Sequence, residues 1–570
     1  MNTYHIGCSK PLEHLLEISC IFRNISSANI SLHIPAWRPG RYELQNYAKN
    51  IDKVLVRSLE GENLPCKKSS KDTWEIQTLG NSEIKVSYHY YAFQLDAGGC
   101  FVDDKQVYLN FSNCLLYQIE SVDEPCEVVL DIPPHFSVAC ALEKKNKNTL
   151  LANNYHHLVD SPLLASYTMQ YNSYQVANTN FHIWINGEWR VDWAFLLQDF
   201  EKFTKAQIAL MGEFPEDNYH FLCQIVPYKF YHGVEHQAST VVCIGASEEM
   251  NHSEEAYQDF LSLCSHELFH AWNVCKIRPI EMMPYQYHQE TYFESGFVAE
   301  GITTYYGELA LLRGGIWTPQ QFLDEMNKIL KKHNDNFGWL NYSLTEASWD
   351  LWLDGYKTTM PNRTVSIYHK GAIVAMMLDL EIRLKSYQKY SLDDVMRAMW
   401  VKFGKTQKGY TLQDFQRVCE ESTQVSLQNF FNLYIKGIEP LKDYLSELVE
   451  NFALKLATIH YNGGTEIFGF QTTTKNNACI VHIIEPNSNA AKVLSLDDEI
   501  IAINDRKVEN NNINALIGSK QNIMLTLFRQ KHLYHVILNV NTEDYLKNYQ
   551  LRTQSTAENS KKENLVSWLG

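Results

Sequence analysis

From the start of the chain to about residue 175, apolar and polar positions alternate in short runs. The runs at 17–22, 30–34, 53–56, 74–77, 84–91 and 128–132 are β-branched or aromatic, and turn pairs such as Pro39-Gly40 and Gly98-Gly99 separate them. Period two with frequent breaks predicts a β-sandwich-like domain over 1–175. A second strand-rich stretch runs from Phe181 to Ile244, after which the period changes. Apolar residues recur at three and four over 257–274, 300–312, 319–333, 371–384 and 392–403, which predicts a run of helices. Polar cap candidates before 412 and 427 mark two more. Strand patterning returns near 450, at 478–484, 499–503 and 523–527. The pattern predicts a multidomain α+β chain divided at 1–175, 176–450 and 451–545, followed by a polar tail over 546–570 in which Val566, Trp568 and Leu569 are the residues able to dock.

Length supports several domains, because 570 residues exceed what one hydrophobic core organises. With 45% hydrophobic and 20% charged residues the composition is that of a packed globular protein. A net charge of -16 without a Lys/Arg stripe argues against nucleic-acid binding. No apolar run is long enough to span a membrane. The first residues lack the basic start and apolar centre of a signal peptide. The thirteen cysteines are odd in number, scattered, and free of Cys-x-x-Cys pairs, so a cytoplasmic, reducing location is expected, with Cys264 and Cys275 as buried, inert thiols.

Chemistry concentrates in His266-Glu267-Leu268-Phe269-His270. On a helix, residues four apart share a face, so both imidazoles can reach one ion, while Glu267 is placed to take a proton from water. A catalytic zinc wants three protein ligands and an open position, so a third ligand is needed downstream. Glu300 opens a helix-like segment, whereas its rival Glu294 stands in Ser-Gly surroundings that read as a loop. Glu300 is the preferred ligand.

Four blocks then carry a resemblance: Trp37-Arg38-Pro39-Gly40-Arg41-Tyr42, Gly233-Val234-Glu235-His236, residues 266–279, and Glu300-Gly301-Ile302-Thr303-Thr304-Tyr305-Tyr306. Through them the chain resembles the glycyl aminopeptidase family of gluzincin metallopeptidases. The resemblance spans nearly the whole sequence. It implies an N-terminal β domain, a thermolysin-like catalytic domain of mixed β and helical structure, and a C-terminal PDZ domain. It also implies one zinc ion per chain on His266, His270 and Glu300. Cys275 stands where a basic residue is expected. Gly463-Gly464 looks like the carboxylate-binding loop of a PDZ domain, able to hold a peptide C-terminus, and 496–504 looks like a strand of that domain, with Asp497 in place of Gly.

The same likeness assigns Tyr368, in Tyr368-His369-Lys370-Gly371, as the donor to the developing oxyanion. Glu235 resembles the exopeptidase glutamate of gluzincin aminopeptidases. A carboxylate beside the metal binds the free α-ammonium of a peptide by a charge-assisted hydrogen bond that an internal peptide bond cannot replace. Gly233 is expected to leave room for a substrate backbone. The sequence therefore predicts a zinc aminopeptidase acting on peptides with small N-terminal residues. A zinc endopeptidase with the same site, or a catalytically silent PDZ scaffold, are the competing readings.

Overall fold

The computed structural model describes all residues except 357–359, 460–463, 510–511 and 541–544. In the N-terminal part, alternation buries every second side chain, as in Ile84–Tyr91, where Ile84, Val86, Tyr88 and Tyr90 point inward. A seven-stranded sheet runs in the order Glu143–Asn146, Thr149–Ala152, Cys126–Asp131, Asn2–Lys10, Leu15–Phe22, Ile84–Tyr91, Ile51–Ser58. A three-stranded sheet (Asn29–His33, Thr73–Gln77, Cys66–Ser70) and a four-stranded one share a single core with it. The expected strands are present and extended by a few residues, because backbone pairing continues past the apolar runs. The strand Gln170–Val176, at the end of the 1–175 span, pairs with Thr179–Gly187 in the next sheet.

That second sheet has the order Gln170–Val176, Thr179–Gly187, Asn218–Ile225, Ser239–Gly245, Phe230–Glu235. The middle three strands are parallel, and Phe230–Glu235 is an antiparallel edge. Helices pack beneath it. Helix Glu254–Phe269 begins earlier than the apolar pattern because Ser253 caps it, accepting from the Ala256 N–H, and Glu254 and Glu255 occupy its first turn. It stops at His270, short of residue 274, and Val274 takes a left-handed φ of 103° where the chain reverses. Helices Gly301–Arg313, Pro319–Asn334 and His369–Lys385 follow the periodicity, whereas Leu392–Met399 relaxes into a π-helical turn, Trp400–Gly404.

After the helix Leu441–Glu450, a β-rich module has its own small core. Its sheet orders Phe470–Lys475, Ala478–Ile484, Glu499–Ile503, Asn522–Arg529 and His532–Asn539, with Arg506–Lys507 beside the third. Gly463 lies outside the described residues; Gly464 and Asp497 both have left-handed φ, of 88° and 64°. The polar tail expected over 546–570 is ordered: Asn548–Thr553 pairs with Leu454–Ile459, and Asn559–Leu569 is a helix whose Trp568 and Leu569 are buried in the helical core, while Val566 is exposed. Few apolar residues sufficed because only one edge of each element is covered.

Candidate metal centre and substrate cleft

On helix Glu254–Phe269 the buried side chains are mainly Phe260, Leu261, Leu263, Cys264, Leu268 and Phe269, and Ser262 and His266 stay partly open, one turn apart. The helix that Glu300 precedes, Gly301–Arg313, crosses it closely. A Cβ on Gly307 would lie 3.0 Å from the His266 Cα, and the Ser265 hydroxyl donates to the Gly307 carbonyl at 2.7 Å. Glu300 sits at the joint between the short helix Gly296–Ala299 and Gly301–Arg313. Gly301 in turn meets Gly371, where a Cβ would come within 2.5 Å of backbone, and this contact brings in Tyr368 at the start of His369–Lys385.

The three ligand candidates converge. His266 Nε2 is 3.1 Å from His270 Nε2, and Glu300 Oε2 is 3.4 Å from His270 Nε2 and 4.0 Å from His266 Nε2. Two ligands each about 2.0–2.1 Å from a tetrahedral ion stand about 3.3 Å apart, so the set fits a zinc-sized ion. His270 Nδ1 is 2.8 Å from the Asn273 carbonyl, which leaves Nε2 free to ligate. Asn273 then donates from Nδ2 to the Val298 carbonyl at 2.7 Å and to the Thr303 hydroxyl at 3.0 Å, tying both ligand helices together. Sequence reasoning missed Asn273, whose only signal was its place inside the 266–279 block. Glu294 is exposed in a loop and outside the cluster.

Glu267 is buried, its Oε2 has no partner, and burial, with Glu235 and Glu300 nearby, raises its carboxyl well above the usual range. Glu235 ends the edge strand, and its carboxylate lies within 4.8 Å of those of Glu267 and the His270 imidazole. Burial raises it too. Among the described residues no Lys or Arg forms an ion pair with Glu235, Glu267 or Glu300, so three buried carboxylates share one corner with two imidazoles. Such a cluster is costly unless a cation joins it. The donor set, the spacing and the unpartnered Glu267 oxygen all fit a divalent ion with an attached water.

Gly233 differs from expectation. A Cβ there would sit 2.1 Å from Glu267 Oε1, so the space it leaves is filled by the Glu267 carboxylate rather than left for substrate. The turn at Glu235 is pinned from the N-terminal domain: Asp160 bonds His236 Nδ1 at 3.0 Å and accepts from the Gln237 N–H at 3.0 Å. From the same domain Gly40, in a Pro-Gly turn with φ 79°, comes so close that a Cβ would be 2.7 Å from Glu235 Oε2. Beside it Arg38 is buried against Gly98 and lies near enough to Glu267 to favour its charged form. Trp37 anchors the turn, donating to the Gln286 carbonyl at 2.8 Å and packing edge-on to Trp352 at 5.0 Å. The sequence block around Trp37 thus closes the cleft, a role its spacing alone did not reveal. Tyr368 is half-buried near Glu300, Tyr356 and Tyr42, and burial with these neighbours keeps its hydroxyl protonated. Cys264 and Cys275 are buried, and burial raises both thiols.

Residues 3–167 match the Peptidase M61 N-terminal domain and residues 259–374 match the M61 glycyl aminopeptidase domain. The crystal structure of an aminopeptidase N family protein from Idiomarina loihiensis superposes with a TM-score of 0.93, at 26% identity, over 100% of both chains. An M1 zinc metallopeptidase from Deinococcus radiodurans gives a TM-score of 0.47 at 11% identity, over 77% of this chain and 94% of that one. No curated protein sequence matches. Fold, site and domain matches define the class, a metallopeptidase with an N-terminal β-rich domain and a helical catalytic domain. More narrowly, the chain carries an M61 N-terminal domain over residues 3–167 and an M61 glycyl aminopeptidase domain over residues 259–374.

Proposed function

We propose that this protein is a zinc-dependent aminopeptidase that removes small N-terminal residues, Gly or Ala, from peptides, with one zinc held by His266, His270 and Glu300. The observation that carries the reading is Glu235, a buried carboxylate within 4.8 Å of the Glu267 carboxylate and of the His270 imidazole. That is where the α-ammonium of a peptide would lie if its first peptide bond faced Glu267. Zinc, when bound, supplies the Lewis acidity that makes water acidic near neutral pH. Glu267 takes the proton of the attacking water on Oε2 and passes it to the leaving amine. Tyr368, a protonated donor near Glu300, meets the charge that grows on the carbonyl oxygen. Gly40 packs against Glu235, with Tyr42 and Tyr356 near that carboxylate, which favours a free N-terminus over an extended chain there, while the match to the glycyl aminopeptidase domain supports small first residues.

The C-terminal module is read as a PDZ domain able to hold a peptide C-terminus, supported by its sheet, its helix Ile513–Ile517 and the left-handed Asp497 where glycine is usual. Thirteen free thiols support a reducing, cytoplasmic setting. No described helix is long and apolar enough to cross a membrane. The functional test compares Ala-Leu with N-acetyl-Ala-Leu. The free dipeptide is expected to be cleaved and the acetylated one not, and Glu235→Ala should abolish that difference by slowing only the free form. Equal cleavage of both by wild type would replace this reading with an endopeptidase.

A further inference from the structure

Side chains alternate along the edge strand, so Tyr231, Gly233 and Glu235 share the face turned to the metal-site helix. A peptide whose ammonium is held at Glu235 and whose first peptide bond lies by Glu267 would run toward Tyr231. There Ser262, one turn or about 6 Å before His266, lies close to the Tyr231 hydroxyl. Ser262 also donates to Glu308 Oε1 at 2.8 Å. Glu308 lies two turns beyond Glu300 on the same helix face. It is only 6% exposed and its Oε2 has no partner. Burial, reinforced by Glu325, pushes its carboxyl up to about 8. Ser262 lines an open pocket of about 400 Å³ between helices Glu254–Phe269 and Pro319–Asn334. The wall carries Glu254, Glu255, Asp259, Asp324 and Glu325 against one lysine, Lys328, which is 2.7 Å from Glu325.

We infer that this pocket receives the cationic side chain, lysine or arginine, of the residue that follows the scissile bond. The inference rests on the aminopeptidase reading, which sets the direction of the peptide. Glu308 is not itself in the pocket wall but stands behind Ser262, which donates to it; a cation held in the pocket offsets the cost of that buried, unpartnered carboxyl and makes charge-assisted hydrogen bonds with the lining carboxylates. The surrounding carboxylates, in excess over Lys328, attract the same charge and repel an acidic side chain.

The test measures kcat/KM of the holoenzyme on Ala-Lys-Ala, Ala-Leu-Ala and Ala-Glu-Ala. Lysine is expected to exceed leucine by about tenfold, the scale of one charge-assisted hydrogen bond, with glutamate lower still. Glu308→Gln, and separately the pocket-lining pair Asp259→Asn with Glu325→Gln, should each shrink the Lys/Glu ratio by a similar factor. Calorimetric binding of the three peptides to Glu267→Gln protein should give the same order. Equal rates on the three peptides, or a ratio that neither variant changes, would overturn the pocket assignment. Alanine p-nitroanilide, which has no second residue, separates the two readings. Its hydrolysis with a flat tripeptide profile sinks the pocket alone, and its failure sinks both.

Discussion

Gly233 is the residue against which Glu267, the proposed base, packs. No other side chain fits there, since even a methyl group would stand 2.1 Å from Glu267 Oε1, and the strand backbone behind it is held by pairing to Ser239–Gly245. Gly233→Ala should therefore displace the Glu267 carboxylate, not the strand, and displacements near 1 Å at a reacting group cost about 10²-fold in rate. A fall of that order in kcat, with zinc content and far-UV circular dichroism unchanged, is the expected result. A kcat within threefold of wild type would show that the base has room to adjust. The pairing of His266 with His270 was legible in the sequence because one helix places both and its spacing is the signal. Gly233 was legible as a glycine of consequence but not for the right reason, because what fills the space comes from a helix some thirty residues on. Arg38 and Gly40 gave still less notice, since their contacts join segments about 200 residues apart.

Between elements, the site depends on how two helices are clamped. Gly301 against Gly371 and Gly307 against His266 permit backbones to approach where side chains would hold them apart. Asn273 then fastens the chain after one ligand helix to the start of the other through three hydrogen bonds, to Val298, Ala299 and Thr303, while its own carbonyl orients His270. Outer partners of this kind contribute about 10–100-fold in metal affinity. Asn273→Ala should weaken zinc binding by that factor in a chelator competition, with Glu300 less constrained. Unchanged affinity would mean that helix packing alone positions Glu300. Periodicity read the helices themselves well, yet placed the end of the metal-site helix at 274 instead of Phe269. The apolar residues Ala271, Trp272 and Val274 are buried as a loop core, and a burial pattern does not distinguish a buried loop from another helical turn.

At the scale of the molecule, the far C-terminus supports the metal site from behind. Trp568 is fully buried, edge-on to Phe322 at 5.9 Å and Phe452 at 6.0 Å, and its indole donates to the Tyr305 hydroxyl at 2.7 Å. Tyr305 donates onward to Asp379, which also accepts from Arg383 and from the Leu392 N–H. Arg383 closes the circuit by donating to the Ser567 carbonyl at 3.0 Å. Tyr305 stands on the helix that begins beside Glu300, so the network braces the third ligand's helix against His369–Lys385, the helix preceded by Tyr368. Composition hid this, because the last stretch is polar and a single tryptophan does most of the docking. Trp568→Ala leaves a large cavity and removes the indole donor to the Tyr305 hydroxyl, a change that typically costs about 3–5 kcal/mol. Thermal unfolding of the catalytic core should move down accordingly, and removing residues 559–570 should move it at least as far. If Trp568→Ala and the truncation both melt with wild type, the C-terminal helix is an ornament of the fold and the bracing of Glu300 lies wholly within the helices before residue 450.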